Sequence, residues 1–580
     1  MAALTGAGTL SINNKDSFAM NTHFTILHPV ASSLFILLVA LAALFAVAPA
    51  FAQTPPNAGQ LLQQERMAPQ LPKTITPLRI QPPASLSLMP GGVTVTLQGV
   101  RFKGNTVFSA EQLAAVLGEV TGKSFDMASL QGLAQRLSEH YRTSGYPFAR
   151  VYLPEQKFTD GVLTLTVLEG RYGQITTTGD AAIAVPARRF LTNLKPGAVI
   201  ETAALERATL VLGDQPGIKT APLIRPGQEL GAGDLVVETS RPPAWRGDVG
   251  MDNYGNRYTG EYRLRFNLTV DSPFTFGDQL TLMSLVSQIG QWLGNLSYSL
   301  PVGSSGLRGN VGYAHTYYEL GDKFTSLGAT GTADIITLGL SYPLIRSRQS
   351  NLSLAATYQH KQLEDKQDAV GIKLNKTSDV LPLTLQFDHR DTLAGGGISY
   401  GSLVFTAGNL GLDPTQKTAD AVTAQTNGDF LKCNLDVARV QATPLSNLTL
   451  YGRVSIQWSN KNLDSSEDFG LGGPSGVRAY PVGEGFGDEG WLAQIEARYQ
   501  IGTFAPYAFI DAGRVTINHT PWSAATNFRE LGGNGVGVRY NDGTWNADAS
   551  LAWRNMGGPP TSDTTDRNPR VWVTFGWRFG

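Results

Sequence analysis

Residues able to do chemistry are few in this 580-residue sequence, and their spacing serves few reactions. The run Gly118-Glu-Val-Thr-Gly122-Lys123-Ser124 approaches a phosphate-cradling loop, in which backbone N–H groups hold the phosphates and a lysine reaches the β and γ positions. It has three residues between its glycines where that loop has four, and it lies between two expected helices with no strand before it. The reading that fits is an interhelical turn with Lys123 in solvent. The histidines are scattered, and no HExxH, CxxC or GxSxG spacing occurs. The cluster Gly532-Gly533-Asn534-Gly535-Val536-Gly537 lacks the spacing of a dinucleotide loop and sits in strand-rich sequence. A single cysteine, Cys433, excludes an intrachain disulfide and a cysteine-built metal site. The chemistry that remains is recognition between an arginine and a carboxylate. Arg478 lies in the glycine-rich stretch 470–490, and Asp511 follows it downstream. A loop too rich in glycine to hold itself needs an anchor, and an Arg–carboxylate pair shielded from bulk water supplies a strong one.

The elements that must position such a pair are β-rich. Only 16% of residues are charged, against about 25% in ordinary soluble domains, while glycine is in excess. Mean hydropathy is −0.10, and past the N-terminus no 18-residue apolar run suggests a membrane helix. Lys+Arg (46) and Asp+Glu (47) nearly cancel, which excludes a non-specific nucleic-acid binder.

Residues 30–52 form one apolar core ending in Ala50-Phe51-Ala52, the pattern of a secretory signal peptide over 1–52, with Met1 or Met20 as its start. A linker over 53–90 follows, with Pro at 55, 56, 69, 72, 77, 82, 83 and 90; only 58–67 can form a short helix.

From Gly91 the pattern becomes globular. A strand is expected from Val93 to Phe102. A helix follows, capped by Ser109 with Gln112, and then a second, capped by Asp126 and apolar at Leu130, Leu133, Leu137 and Tyr141. Strands near 149–153 and 162–167 close this unit, expected over 91–172. A second unit, 173–241, repeats the order: a strand at Ile175, helices near 187–194 and 202–213, strands near 217–224 and 234–239. The phrases GVRFKGNTVFS, YRTSGYPFARVYLPEQ and GVLTLTVLEGRYGQI, then LERATLVLGDQPGI and GDLVVE, resemble the two POTRA domains of two-partner secretion transporters of the haemolysin secretion/activation type.

Beyond residue 242 the sequence alternates. Leu264, Phe266, Leu268 and Val270 interleave with polar residues, and Val571, Val573, Phe575, Trp577 and Phe579 share one face of the last segment. About sixteen such segments predict a lipid-facing antiparallel β-barrel over 242–580, with a long glycine-rich loop near 460–490. Cys433 then reads as a small barrel residue. Three strings resemble elements of the superfamily that also holds BamA-type assembly factors. Asp388-His389-Arg390-Asp391 resembles its D-x-R-D strand element, with Asp388, Arg390 and Asp391 as the matching residues. Gly476-Val477-Arg478-Ala479-Tyr480 resembles the VRG[YF] tip of its sixth loop, with Ala479 in place of glycine. Phe509-Ile510-Asp511-Ala512-Gly513 resembles the F-x-D-x-G strand on which that tip docks.

The resemblance implies an outer-membrane transporter with its POTRA domains in the periplasm. Its partners would be an unfolded exoprotein client, the surrounding lipid and the barrel assembly machinery, and it would use neither cofactor nor nucleotide. The helix near 58–67 matches, in position, a plug helix that occupies the idle pore. The competing classes are a barrel-protein assembly factor, disfavoured by only two POTRA units; a passive channel, disfavoured by having any; and a secreted hydrolase, disfavoured by the missing catalytic constellation.

Overall fold

The computed structural model describes residues 55–64, 69–72, 79–80, 91, 93–158 and 160–580. The signal peptide expected over 1–52 and much of the expected linker lie outside them. Helix α1 (Ala58–Gln64) and strand β1 (Arg79–Ile80) come first.

In the first α+β unit, β2 (Val95–Thr96) pairs with β4 (Ser124–Phe125), while β3 (Gly99–Lys103) joins a sheet with β5 (Arg150–Tyr152) and β6 (Val162–Leu168). The single strand expected from Val93 to Phe102 is thus broken. Leu97 ends the first pairing with bonds to Lys123 and Gly122, and at Gln98, whose N–H donates to the Gly161 carbonyl, the chain changes partner. Helix α2 (Ala110–Leu117) starts at the Ser109–Gln112 capping box. Helix α3 (Met127–Thr143) starts at Asp126, which accepts the Ser129 N–H at 2.8 Å, and buries Leu130, Leu133, Leu137 and Tyr141 against the sheet. Between the helices, Gly118 and Gly122 adopt positive φ, and the exposed Lys123 donates to the Glu119 carbonyl. That stretch is a turn.

The second unit runs β7 (Arg171–Gly179), α4 (Ala181–Ala187), α5 (Thr202–Gly213), β8 (Lys219–Pro226) and β9 (Ala232–Ser240), with sheet order β1-β8-β9-β7. The helix expected near 187–194 lies earlier. Asp180 caps α4 by accepting the Ala182 N–H, and Pro186, which has no N–H to donate, gives way to a 3-10 turn at Arg188–Leu191. The unit docks on the barrel through Arg346, whose guanidinium meets Asp214 in two 2.6 Å bonds.

Sixteen strands close the barrel, each antiparallel to the next, with the first pairing the last. They begin with β10 (Trp245–Asp252), β11 (Arg263–Asp271), β12 (Gln279–Ser287), β13 (Trp292–Pro301) and β14 (Arg308–Glu319). Longer strands follow: β15 (Ala329–Arg346), β16 (Ser350–Gln367), β17 (Ile372–Asp391), β18 (Gly397–Leu412), and, after helix α6 (Pro414–Asp420), β19 (Gly428–Ala442). After β20 (Leu448–Ser459) a long loop carries the short pair β21 (Phe469–Gly470) and β22 (Phe486–Gly487). The wall resumes with β23 (Glu489–Tyr499), β24 (Phe504–Thr516), β25 (Phe528–Asn541), β26 (Trp545–Met556) and β27 (Arg570–Phe579). Outward side chains such as Leu264, Leu338, Leu383, Val573 and Trp577 are exposed and apolar, as a lipid-facing wall requires, and closure leaves no free edge.

Candidate functional site in the barrel lumen

The long loop, 460–488, turns back into the barrel, and its tip reaches the wall formed by β23–β27. Arg478 is 5% exposed and Asp511, on β24, 1%. The guanidinium donates from Nε to Asp511 Oδ2 at 2.8 Å and from Nη2 to Oδ1 at 2.6 Å, the paired geometry that planar Arg–carboxylate recognition requires. The Arg478 backbone N–H adds a third bond to Oδ2 at 3.1 Å. Nη1 donates to Glu496 on β23, and the guanidinium carbon lies 3.5 Å from the centre of the Phe509 ring. Burial works against the charge on Arg478, but the two carboxylates outweigh it, and its pKa lies above that of a free guanidinium. The Arg478 carbonyl accepts from Trp572 Nε1 at 2.7 Å, and the Tyr480 hydroxyl donates to the Met556 and Gly558 carbonyls. Val477 is fully buried and bonds back to the Leu471 carbonyl.

Glycines in the facing strands make room for this tip. A Cβ at Gly513 would stand 2.4 Å from Leu471, and one at Gly533 would stand 2.4 Å from the Ala479 methyl. Two and four residues on, Gly535 and Gly537 leave the same space under the Phe509 and Tyr507 rings. The glycine cluster at 532–537 is therefore a seat on one face of β25, and its every-second-residue spacing was the available sign of it. Ala479 fits because Gly533 lies opposite.

A second set of polar contacts holds the ascending arm of the loop. Glu467 pairs with Lys361 on β16 and with Lys432 on β19 (2.8 Å), and Asp464 pairs with Lys376 on β17 (2.8 Å). Between them, Ser465 and Ser466 meet helix α1: the Ser465 hydroxyl donates to Asn57 Oδ1 at 2.8 Å, and the Gln63 amide donates to the Ser466 carbonyl. The opposite flank of α1 lies on the wall, where the Ala58 N–H donates to Asp365 at 2.9 Å and Leu61 packs with Tyr258, Tyr318 and Leu363. Sequence reasoning missed Glu496, Glu467, Asp464 and the three lysines. An inward lysine in a barrel strand looks like any other polar lumen residue until the loop opposite it is known.

The strand motif lies elsewhere. Arg390 donates to Asp388 at 2.9 Å, Asp391 pairs with Arg439, and all three motif residues stand at the end of β17 nearest the second α+β unit. Asp388 and Arg390 line a cavity of about 1180 Å³ there, together with Arg348, Lys219 and the chain's own Pro69 and Gln70. The structure brings Val477, Arg478, Ala479 and Tyr480 to Phe509 and Asp511, and Leu471 of the same loop onto Gly513, but it does not bring Asp388, Arg390 and Asp391 to them.

The family model described as haemolysin secretion/activation protein ShlB/FhaC/HecB matches residues 231–540, and that of the ShlB-type POTRA domain matches 95–170. The heme/hemopexin transporter protein HuxB of Haemophilus influenzae strain 86-028NP is 28% identical over 463 residues, 78% of this chain and 81% of the relative. The hemolysin transporter protein ShlB of Serratia marcescens is 24% identical over 81% of this chain and 84% of its own. Among solved structures, CdiB from Escherichia coli superposes with a TM-score of 0.69 at 20% identity, covering 96% of this chain and 100% of that one, a likeness of fold. The chain therefore belongs to the haemolysin secretion/activation protein family of outer-membrane transporters for secreted proteins, with its barrel in the outer membrane and its POTRA region in the periplasm.

Proposed function

We propose that the two α+β units, read as a pair of POTRA domains, receive an unfolded exoprotein in the periplasm and pass it through the barrel to fold outside, without nucleotide. The observation that carries this reading is the content of the lumen. A wide barrel is filled by a helix and a loop of the same chain, held largely by hydrogen bonds and ion pairs, so its closure is reversible in a way that a packed apolar core is not. Helix α1 is the plug in this reading, Arg478 and Asp511 lock the loop at rest, and the cavity beside Asp388 and Arg390 is where the client first meets the barrel. The barrel itself would be inserted by the outer-membrane assembly machinery. The exoprotein belongs to the class carried by the named relatives, which include a heme/hemopexin transporter and a hemolysin transporter. Deleting 91–241 in cells that co-express the client tests the reading. The shortened protein should enter the outer membrane and secrete nothing; continued secretion would contradict the receiving role of the two units.

A further inference from the structure

We propose that the loop has a second lock, independent of its tip: Glu467 with Lys361 and Lys432, and Asp464 with Lys376, form the ledge that keeps helix α1 seated in the lumen. The tip is fixed on β23–β27, whereas this ledge is fixed on β16–β19, so the two locks hold different arcs of the wall. The four residues 464–467 divide the task. The outer two, Asp464 and Glu467, are ion-paired to the wall, and the inner two, Ser465 and Ser466, touch the helix. The contact is close. A Cβ at Gly59 would stand 2.5 Å from both Ser465 Oγ and Ser466 N, so the helix can seat there only with glycine at that position.

The chemistry of the ledge makes it a switch for the helix. Lys432 and Lys361 side chains are 3% and 9% exposed, and the Glu467 side chain between them is 4% exposed. Lysine is a compact, strongly hydrated cation, and keeping two of them buried becomes more costly when the carboxylate they share is removed. Water must then enter beside them or the arm must withdraw, and either change takes the ledge from under α1. Glu467 also lends its backbone carbonyl to Lys432 and to Gln457, so the arm is tied to the wall at side chain and main chain together. Glu467 and Asp464 are positioning residues: they act on the pore through the seat they give to the helix. This inference concerns the resting lumen and holds whichever exoprotein is carried.

The test needs no client. In the full mature chain with Cys433→Ser, Leu61→Cys places one thiol on the buried face of α1, and a water-soluble maleimide reports its exposure in proteoliposomes. Glu467→Gln should speed labelling at least tenfold and raise ionic conductance in planar bilayers, and Asp464→Asn should do the same to a smaller degree. Arg478→Ala, which frees only the tip, should leave labelling slow. Retained mobility shift on heating shows that each barrel has folded. Unchanged labelling in both ledge variants would overturn the proposal. Equal acceleration by Arg478→Ala would also overturn it, because the loop would then be held as one unit.

Discussion

At the scale of residues, the account rests on Arg478 and what surrounds it. Truncating one member of a buried, hydrogen-bonded ion pair costs roughly 3–5 kcal/mol, against at most about 1 for an exposed pair. At about 1.4 kcal/mol per decade, even 3 kcal/mol shifts docking of the tip more than a hundredfold. Arg478→Ala and Asp511→Ala should each cut secretion strongly while the barrel still assembles. The double variant should be little worse than either single, because the second change removes a group that is already unpaired; additive losses would mean that the two act separately. Glu496 differs from Asp511, since Arg498 and Arg539 also pair with it and would remain its partners after Arg478 is lost. Arg478→Lys should behave like the alanine variant, because a point charge cannot reproduce two parallel bonds. Gly533 offers a purely steric test. Gly533→Ala should loosen the tip through its clash with Ala479, and Ala479→Gly should rescue it. A Gly533→Ala protein that secretes normally in the Ala479 background would refute the seat assigned to that glycine.

At the scale of elements, the strands were legible and the contents of the barrel only partly so. A period of two survives in the sequence because lipid faces one side of every strand and the lumen the other, and about sixteen segments became sixteen strands. The tip was legible because an arginine in a glycine-rich loop needs a partner and Asp511 stood in a recognisable strand. The ledge was not. Glu467 meets Lys361 and Lys432 only after the loop folds inward, and no local pattern records that pairing. Helix α4 begins earlier than expected because Asp180 caps it by accepting the Ala182 N–H. The loop base should also respond to pH in two directions. Burial pushes Asp488 up to about 6, so deprotonating it in the folded loop is costly and the loop base loosens as pH rises through that value. Glu467 is the reverse case: burial would raise its pKa, but Lys361 and Lys432 hold it down to about 2. Its contribution is present above its ordinary 4.5 and is lost as pH falls toward 2. Labelling of a thiol in the loop base should therefore be slowest at about pH 4, between the ordinary 3.8 of Asp488 and the ordinary 4.5 of Glu467, and should rise on both sides, levelling off above about pH 6. A monotonic profile would contradict these two assignments.

At the scale of the whole molecule, the parts divide the work. The apolar outer wall places the barrel in the outer membrane, the α+β units stand at one mouth, and the chain's own helix and loop lie against the inner wall of the barrel. The folded protein should migrate faster in detergent gels before heating than after, and recovery as a soluble periplasmic species would contradict the barrel. Lys123→Ala should leave transport intact, because Lys123 sits in a turn with its exposed side chain donating to the Glu119 carbonyl; a large loss at normal protein level would reopen a phosphate-binding role. The central claim is that this chain alone carries an unfolded exoprotein across a bilayer without nucleotide. Its most direct test is export across proteoliposomes containing only this protein, with urea-unfolded exoprotein diluted outside and no ATP present. The account predicts that the exoprotein becomes protected from external protease inside vesicles bearing the full chain and stays unprotected with the variant lacking 91–241. Protection that requires ATP, or that is equal for both proteins, would contradict it.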